Sequence, residues 1–189
     1  MNKNVPNILT IARVVAVPFF IWAYYDKKFF LALVIFIVAS LTDLFDGKIA
    51  RKYNLVSNFG KFMDPLADKI LNYSAFCLFV GDGTMWDVFL IIVLFREFAV
   101  AGIRMLAAEK GTVIAADIYG KIKTVLQMIA IPLLIFAKVL PTDGVFIVYS
   151  MSRDVDWVGH IVLAASVLMT IISGINYITK NLSVFKDEN

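Results

Sequence analysis

Six long apolar segments, each near the length needed to cross a bilayer, constrain this chain more than any other feature. A membrane-spanning helix needs about 20 mostly apolar residues, and such segments lie near residues 5–25, 29–50, 61–80, 86–108, 119–140 and 157–179. Turn-forming sequences, Gly-Asp-Gly at 81–83 and Pro-Thr-Asp-Gly at 141–144, follow the third and fifth segments. The pattern predicts an all-α, polytopic membrane protein with six transmembrane helices.

The composition agrees with this prediction. Hydrophobic residues make up 60% of the chain, charged residues only 17%, and the mean hydropathy is +0.81, whereas soluble domains are about 45–50% apolar. The 189 residues fit one integral membrane domain, 1–189. The first apolar segment contains Arg13 and Pro18 and no small-residue cleavage site, so we expect a mature helix and not a signal peptide. The net charge of +3, without a basic block among aromatics, argues against nucleic-acid binding.

The distribution of cationic residues predicts the orientation of the bundle. With the N-terminus in the cytoplasm, eleven Lys and Arg residues fall on the cytoplasmic side and four on the other. The first set is Lys3, Lys48, Arg51, Lys52, Lys61, Arg104, Lys110, Lys121, Lys123, Lys180 and Lys186, and the second is Lys27, Lys28, Lys138 and Arg153. Cytoplasmic loops of membrane proteins are enriched in such residues. We therefore expect a multi-pass protein of the cytoplasmic membrane with both termini inside.

Ionisable residues are concentrated at the end of the second apolar segment and the start of the third. Such groups are costly inside membrane helices and usually mark function. In the second segment Asp43, Asp46, Gly47, Ala50 and Arg51 occur at i, i+3, i+4, i+7 and i+8. This spacing places all five residues on one face of an α-helix.

The third segment carries a matching ridge. Gly60, Asp64 and Asp68 occur at i, i+4 and i+8. The aspartates of both segments lie one to two turns from the short loop that joins them, so at about 1.5 Å per residue they sit at similar depth on antiparallel neighbours. The spacing therefore predicts that four carboxylates converge.

Four carboxylates in a cleft of low dielectric need compensating positive charge. Oxygen ligands alone suit a hard cation such as Mg²⁺, and two metal ions could bind both sides of an in-line phosphoryl displacement. The small Gly47, Ala50 and Gly60 leave room for a nucleotide, and Arg51 offers a planar fork to a pyrophosphate. A charge-lined helix pair or an ion-conducting cleft would show the same acids, and spacing alone leaves these alternatives open.

The complete pattern D-x2-D-G-x2-A-R-x8-G-x3-D-x3-D, which spans 26 residues from Asp43 to Asp68, resembles the signature of the CDP-alcohol phosphotransferase family. The resemblance implies metal-dependent transfer, with Asp68 as general base toward an acceptor hydroxyl. It also implies a homodimer whose site opens to the cytoplasm. The expected metal ligands, for Mg²⁺ or Mn²⁺ and two ions in all, are Asp43, Asp46, Asp64 and Asp68. The expected CDP contacts are Gly47, Arg51, Gly60, Asn7 and Thr42.

The acceptor must be sought outside this motif. Asn7, Thr10 and Arg13 follow one another at three-residue steps and share a broad helix face. Asn7 and Thr10 are equally typical of a helix start, whereas Arg13 lies too deep for that explanation. We expect Thr10 and Arg13 to contact a phosphate on the acceptor.

Further cations in the fourth and fifth segments suggest a clamp for that phosphate. Arg104 lies near the cytoplasmic end of the fourth segment and Lys121 at the start of the fifth, although Lys121 could also simply follow the positive-inside bias. Arg96 and Glu97 lie near mid-membrane, and we interpret them as a structural charge pair. Lys123 is expected to point elsewhere and to extend toward lipid headgroups.

Three further stretches, P-N-x-L-T-x-x-R, R-E-F-x-x-x-G-x-R and G-K-x-K-T-x-x-Q-M, resemble the phosphatidylglycerophosphate synthase branch of the same family. Asp117 departs from that pattern, which has a small residue ahead of the Gly-Lys pair. The resemblance implies that CDP-diacylglycerol and sn-glycerol 3-phosphate are the substrates, in contact with membrane lipids. Inositol phosphate, serine or phosphatidylglycerol are alternative acceptors. A cation transporter is a further alternative, against which stand the absence of a repeat and acids that lie toward one side.

Overall fold

Six α-helices follow one another along the chain. The computed structural model describes the backbone of residues 5–52, 58–115, 117–140 and 146–185, and the side chains of 10–42, 63, 66–67, 69–115, 117–140, 150–182 and 184. The helices are α1 (Val5–Tyr25), α2 (Phe29–Lys52), α3 (Asn58–Gly81), α4 (Asp87–Glu109), α5 (Ile118–Val139) and α6 (Phe146–Lys180), and a 3₁₀ turn (Leu182–Phe185) follows. The all-α prediction is confirmed for these residues.

The sixth helix begins earlier than the sequence predicted. The sixth apolar segment was predicted to begin near residue 157, whereas α6 begins at Phe146 and has 35 residues. Polar residues interrupt the apolar pattern there, but the stretch contains no Gly or Pro that would break a helix. Arg153 and Asp154 are exposed while Ser152 is buried and donates to the Ala137 carbonyl oxygen at 3.0 Å. Packing against α5 therefore stabilises helical structure beyond the apolar segment that hydropathy predicted.

All six helices contribute to the core. Phe20, Phe36, Phe76 and Phe79 are fully buried, and the ring centroids of Phe20 and Phe36 are 5.9 Å apart. Helix α5 lies along α6, α1 contacts both α2 and α3, and α4 packs on α6. This arrangement leaves α3 and α4 beside the cleft described below.

Large apolar side chains also cover the outer surface. Phe19, Phe95, Phe98 and Trp157 are each more than half exposed. Soluble monomers rarely expose contiguous apolar surface on this scale. Among the described residues, α5 and the part of α6 from Ser150 to Lys180 are long and apolar enough to cross a membrane, and Thr10–Tyr25, Phe29–Thr42 and Lys69–Gly81 are shorter apolar stretches. The surface and these helices fit a membrane protein.

A polar network closes the end of the bundle at which α3 and α5 finish. The Asp82 carboxylate accepts hydrogen bonds from the Tyr24 hydroxyl (2.5 Å) and from the Thr84 hydroxyl (2.6 Å), and it pairs with the Lys138 ammonium (3.1 Å). His160 Nε2 lies 2.9 Å from the Thr84 carbonyl oxygen, which joins α6 to the same network. Partial burial alone would raise the pKa of Asp82, but the hydrogen bonds from Thr84, Tyr24 and Lys138 together hold it below its usual value.

Candidate active site

The four aspartates of the motif lie on two consecutive helices that contact each other. Asp43 and Asp46 lie in α2, which ends at Lys52, and Asp64 and Asp68 lie in α3, which begins at Asn58. Asp46 and Asp64 are each six residues from those ends, or about 9 Å along the axis. Asp46 and Asp64 therefore lie at the same axial distance from the ends of their helices that the connecting segment joins.

The side chains of these aspartates lie outside the described residues, as do those of Asn7 and Arg51. Gly47 in α2 and Gly60 in α3 fall within the same two helices. Their roles in metal and CDP binding thus stay predictions. The structure describes neighbouring side chains of α1 to α6 within the ranges given above.

Thr10, Arg13 and Thr42 lie at the contact between α1 and α2. Arg13 is buried, and its Nε donates to the Ala39 carbonyl oxygen at 3.4 Å. Thr42 donates its hydroxyl to the Val38 carbonyl oxygen at 2.6 Å. Arg13 and Thr42 line one small cavity of about 300 Å³, and Thr10 is buried close by in α1. The structure thus brings Arg13 together with an expected CDP contact, and not with Arg104 and Lys121.

A second and larger cleft of about 660 Å³ opens between α4 and α5. Most of its polar lining is cationic, and both proposed clamp residues belong to it. It is lined by Lys69, Arg96, Glu97, Val100, Ala101, Arg104, Asp117, Gly120, Lys121, Lys123, Thr124, Val125 and Met128. Among the side chains that the structure describes, five cations face two carboxylates, a net positive charge that suits an anionic ligand.

Arg104 is held at the cleft by a residue of α6. Its Nε donates to the Tyr177 hydroxyl oxygen at 3.0 Å, and its guanidinium carbon lies 5.6 Å from the centre of the Tyr177 ring. Tyr177 is only 2% exposed, whereas Arg104 and Lys121 are exposed. A buried aromatic residue therefore orients an accessible cation, and the four remaining N–H donors of the guanidinium are available to other partners.

The expectation for Lys123 was wrong. Instead of extending toward headgroups, Lys123 is buried and pairs with Glu97, and its side chain is only 6% exposed. Glu97 also pairs with Lys69 (3.0 Å) and with Arg96 (3.0 Å). The predicted pairing of Arg96 with Glu97 is confirmed, but it is part of a larger cluster. The outward prediction failed because the nearest compensating charge lies inside the bundle, where an unpaired carboxylate would be costly.

Two glycines allow Arg96 to lie between helices. A Cβ atom at Gly120 would stand 2.8 Å from Arg96 Nη2, and one at Gly174 would stand 3.2 Å from Arg96 Cγ. Arg96 Nη2 also donates to the Ser173 hydroxyl oxygen at 2.6 Å. The glycine of the Gly-Lys pair thus makes room for the guanidinium beside the cleft.

Asp117, which departs from the expected small residue, has a structural role. Its side chain accepts from the Ile118 backbone N–H at 2.9 Å and caps α5. Its second oxygen accepts from Asn176 Nδ2 at 2.7 Å. Asp117 therefore ties the start of α5, one turn before Lys121, to α6.

Tyr177 and Ser173 were missed by the sequence reasoning. Both lie in the long apolar run of α6, which contains no recognised motif. The available signal was their four-residue spacing, which places a Ser and a Tyr hydroxyl on one face of an apolar helix.

The fold and the paired aspartate helices agree with the comparison to known families. Residues 3–172 match the CDP-alcohol phosphatidyltransferase family, and the chain belongs to that family. It is therefore a transferase, and divalent-metal dependence is general in this family.

Curated relatives cover nearly the whole chain. A protein of Rickettsia felis is 39% identical over 180 residues, covering 94% of each chain, and one of Bacillus subtilis is 37% identical over 201 residues, covering 98% of this chain and 99% of its own. Both are named CDP-diacylglycerol–glycerol-3-phosphate 3-phosphatidyltransferase. A Mycobacterium tuberculosis relative named probable phosphatidylglycerophosphate synthase is 36% identical over 187 residues, covering 95% of this chain and 82% of its own. The predicted branch of the family is confirmed by this similarity.

The donor set of the motif fits a divalent metal. Aspartate oxygens are the ligands that Mg²⁺ and Mn²⁺ prefer, and α2 and α3 supply four of them. Among the residues whose side chains the structure describes, no group of three His, Cys, Asp or Glu residues could hold an ion. The aspartates of α2 and α3 are therefore the candidate ligands for the metal on which the family depends.

Proposed function

We propose that this protein transfers the phosphatidyl group of CDP-diacylglycerol to sn-glycerol 3-phosphate, which yields phosphatidylglycerol phosphate and CMP. The names of relatives that align over almost the whole chain support both substrates. The observation that carries the choice of a phosphate-bearing acceptor is the cationic cleft between α4 and α5, and the relatives' names favour glycerol 3-phosphate over inositol phosphate. A neutral or zwitterionic acceptor such as serine would leave most of that positive charge unused.

The proposal assigns metal binding to Asp43, Asp46, Asp64 and Asp68, with two Mg²⁺ or Mn²⁺ ions. When bound, the metal would supply positive charge that offsets the negative charge of the phosphates during the displacement. The helix bounds support this assignment because Asp46 and Asp64 each lie six residues from the ends of α2 and α3 that the connecting segment joins.

In the proposed reaction the acceptor hydroxyl attacks the phosphorus that carries the diacylglycerol group. Asp68 accepts the hydroxyl proton as the oxygen forms its bond to phosphorus. The bond between that phosphorus and the CMP oxygen breaks, and CMP leaves with the bonding electrons. General-base catalysis of this kind contributes about 10²–10⁴-fold.

The CDP group would lie against α2, where Gly47 allows close approach and Arg51 offers a fork to the pyrophosphate. Gly60, Asn7 and Thr42 complete the proposed CDP contacts. Thr42 lies one residue before Asp43 in α2 and lines a small, mostly apolar cavity together with Arg13.

Arg104 and Lys121 would bind the phosphate of the acceptor. They line the same cleft, Arg104 is oriented by Tyr177, and both are accessible. Thr10 and Arg13 remain candidates for the same phosphate, although they lie with the α1–α2 cavity.

We further propose six membrane spans, with both termini and the active site on the cytoplasmic side of the cell membrane, and a homodimer as the assembly. The apolar outer surface supports the spans. The positive-inside bias supports the orientation, and it survives the removal of buried Lys123 from the count.

The proposal is tested first with a panel of acceptors. Purified protein receives CDP-diacylglycerol and either sn-glycerol 3-phosphate, inositol phosphate, serine or phosphatidylglycerol, and release of CMP is measured. We expect turnover with sn-glycerol 3-phosphate to exceed that with each alternative. Preference for another acceptor would refute the choice of substrate, and absence of CMP release with all of them would refute the enzymatic proposal.

The second test separates the two substrates. A hydrogen bond to a charged group contributes about 1.5–3 kcal/mol, so Lys121→Ala and Arg104→Ala should each lower kcat/KM for glycerol 3-phosphate by roughly tenfold to a hundredfold. In these two variants the KM for CDP-diacylglycerol should stay unchanged. Arg51→Ala should do the reverse and raise mainly the KM for CDP-diacylglycerol. Lys180→Ala, which removes an exposed cation from the last turn of α6, is the matched control. Unchanged acceptor kinetics in Lys121→Ala and Arg104→Ala would refute the clamp.

A further inference from the structure

Glu97 gathers three cations from three helices around one carboxylate. Its oxygens pair with Lys69 of α3, Arg96 of α4 and Lys123 of α5. The Glu97 side chain is 11% exposed, those of Arg96 and Lys123 are 10% and 6% exposed, and only Lys69, at 41%, is accessible. Arg96 is fixed a second time by Ser173 of α6.

The cluster contains more positive than negative charge. Within the part of the chain whose side chains are described, three cations surround one carboxylate, which leaves an excess of two positive charges in a largely buried position. Unbalanced buried charge is costly, and all four residues line the cleft that also contains Arg104 and Lys121. An anion bound in this cleft would balance the excess, and a phosphate monoester has the matching charge of about −2.

Simple neutralisation does not explain the geometry of the cluster. Arg96 precedes Glu97 in the chain and would by itself balance its charge. Instead, Glu97 also binds Lys69, which is in α3 with Asp64 and Asp68, and Lys123, which is in α5 with Lys121. The carboxylate therefore connects the helix of two catalytic aspartates with the helix of the acceptor clamp.

We propose that Glu97 is a positioning residue that holds Lys123 against the floor of the cleft, where the Lys123 ammonium is a third cation for the acceptor phosphate. This inference rests on the proposed function. An ammonium has three N–H donors, so a bond to Glu97 leaves two for the phosphate. Through Lys69, Glu97 also fixes α3 relative to α5, and thereby the distance between the acceptor and Asp68.

The test measures initial rates of purified variants while each substrate is varied separately. Glu97→Gln keeps the shape of the side chain and removes its charge, and we expect it to raise the KM for glycerol 3-phosphate about tenfold. The KM for CDP-diacylglycerol should change less than twofold. Glu109→Gln, the same substitution at an exposed position of α4, should leave both values unchanged.

Conservative variants keep the test decisive if Glu97→Gln does not fold. Glu97→Asp retains the charge and shortens the side chain, and should raise the KM for glycerol 3-phosphate about threefold. Lys123→Met should match the effect of Glu97→Gln, and Lys123→Arg should recover most of the affinity. The double variant Glu97→Gln/Lys123→Met should have a KM for glycerol 3-phosphate no higher than that of the more affected single variant. Both substitutions disrupt the same interaction, so their effects should not add.

Three results would overturn the inference. They are equal changes in both KM values, additive effects in the double variant, and variants that lose yield or thermal stability with unchanged kinetics per folded molecule. The kinetics of the wild-type protein distinguish failure of this inference from failure of the proposed function. If wild type does not use glycerol 3-phosphate, the proposed function fails; if wild type uses it and the Glu97 and Lys123 variants keep its KM, only the positioning role fails.

Discussion

The contact between Arg104 and Tyr177 yields the most specific prediction. Tyr177→Phe removes one hydroxyl group and keeps the buried ring on which the guanidinium lies. The lost interaction is the 3.0 Å hydrogen bond from Arg104 Nε. The arginine then keeps its charge and its place at the cleft but loses its fixed orientation.

The magnitude follows from the exposure of the two partners. Tyr177 is 2% exposed, but Arg104 is exposed, so water can replace the lost hydroxyl on the arginine. The net contribution should therefore be that of an ordinary hydrogen bond, about 0.5–1.5 kcal/mol, and below that of a buried ion pair. At about 1.4 kcal/mol per decade this is roughly a twofold to tenfold rise in KM for glycerol 3-phosphate.

The assay compares Tyr177→Phe, Arg104→Ala and the double variant with wild type, with each substrate titrated separately. The effect of Tyr177→Phe should be smaller than that of Arg104→Ala and should vanish in the Arg104→Ala background. Tyr24→Phe, which removes the hydrogen bond to Asp82 at the other end of the bundle, is the matched control and should leave acceptor kinetics unchanged. A Tyr177→Phe effect that persists without Arg104, or one that falls equally on CDP-diacylglycerol, would refute this account.

Three further predictions concern the metal, the base and the polar network at the opposite end. Activity should disappear in chelator and return with Mg²⁺ or Mn²⁺, and full activity of thoroughly demetallated protein would contradict the role of the aspartates. Asp68→Asn should lower turnover by at least about 10²–10⁴-fold while CDP-diacylglycerol binding, measured directly, persists; near-normal turnover would remove Asp68 from the mechanism. Asp82 has a lowered pKa in the folded protein, so its carboxylate stabilises the fold above the unfolded value of about 3.9, and this contribution is lost as the pH falls through the lower folded value. Because Asp82 is largely exposed, solvent screening holds its contribution below about 1 kcal/mol. Asp82→Asn should thus lower Tm by about 2 °C or less at neutral pH, and thermal unfolding in detergent should show that difference shrinking below pH 4; a difference that is independent of pH would argue against the ionised network.

Most helix positions and the aspartate motif of this protein could be predicted from the sequence. Five of the six helices begin and end within about three residues of the predicted positions, because apolar runs of membrane length are bounded by polar or turn-forming residues. Helical periodicity and the short loop predicted that Asp43, Asp46, Asp64 and Asp68 converge. The family was predicted by the resemblance of their pattern to the family signature, and the family match confirms it.

The partners of the cations could not be predicted from the sequence, because they depend on how the helices pack. Helical periodicity gives the angle between Lys121 and Lys123 around α5, but it does not tell which neighbouring helix covers either side chain. The carboxylate that draws Lys123 inward lies 26 residues away, and the hydroxyl that orients Arg104 lies 73 residues away. Such partners meet only when α4, α5 and α6 pack together, since contacts between distant segments depend on the arrangement of the helices and not on local sequence.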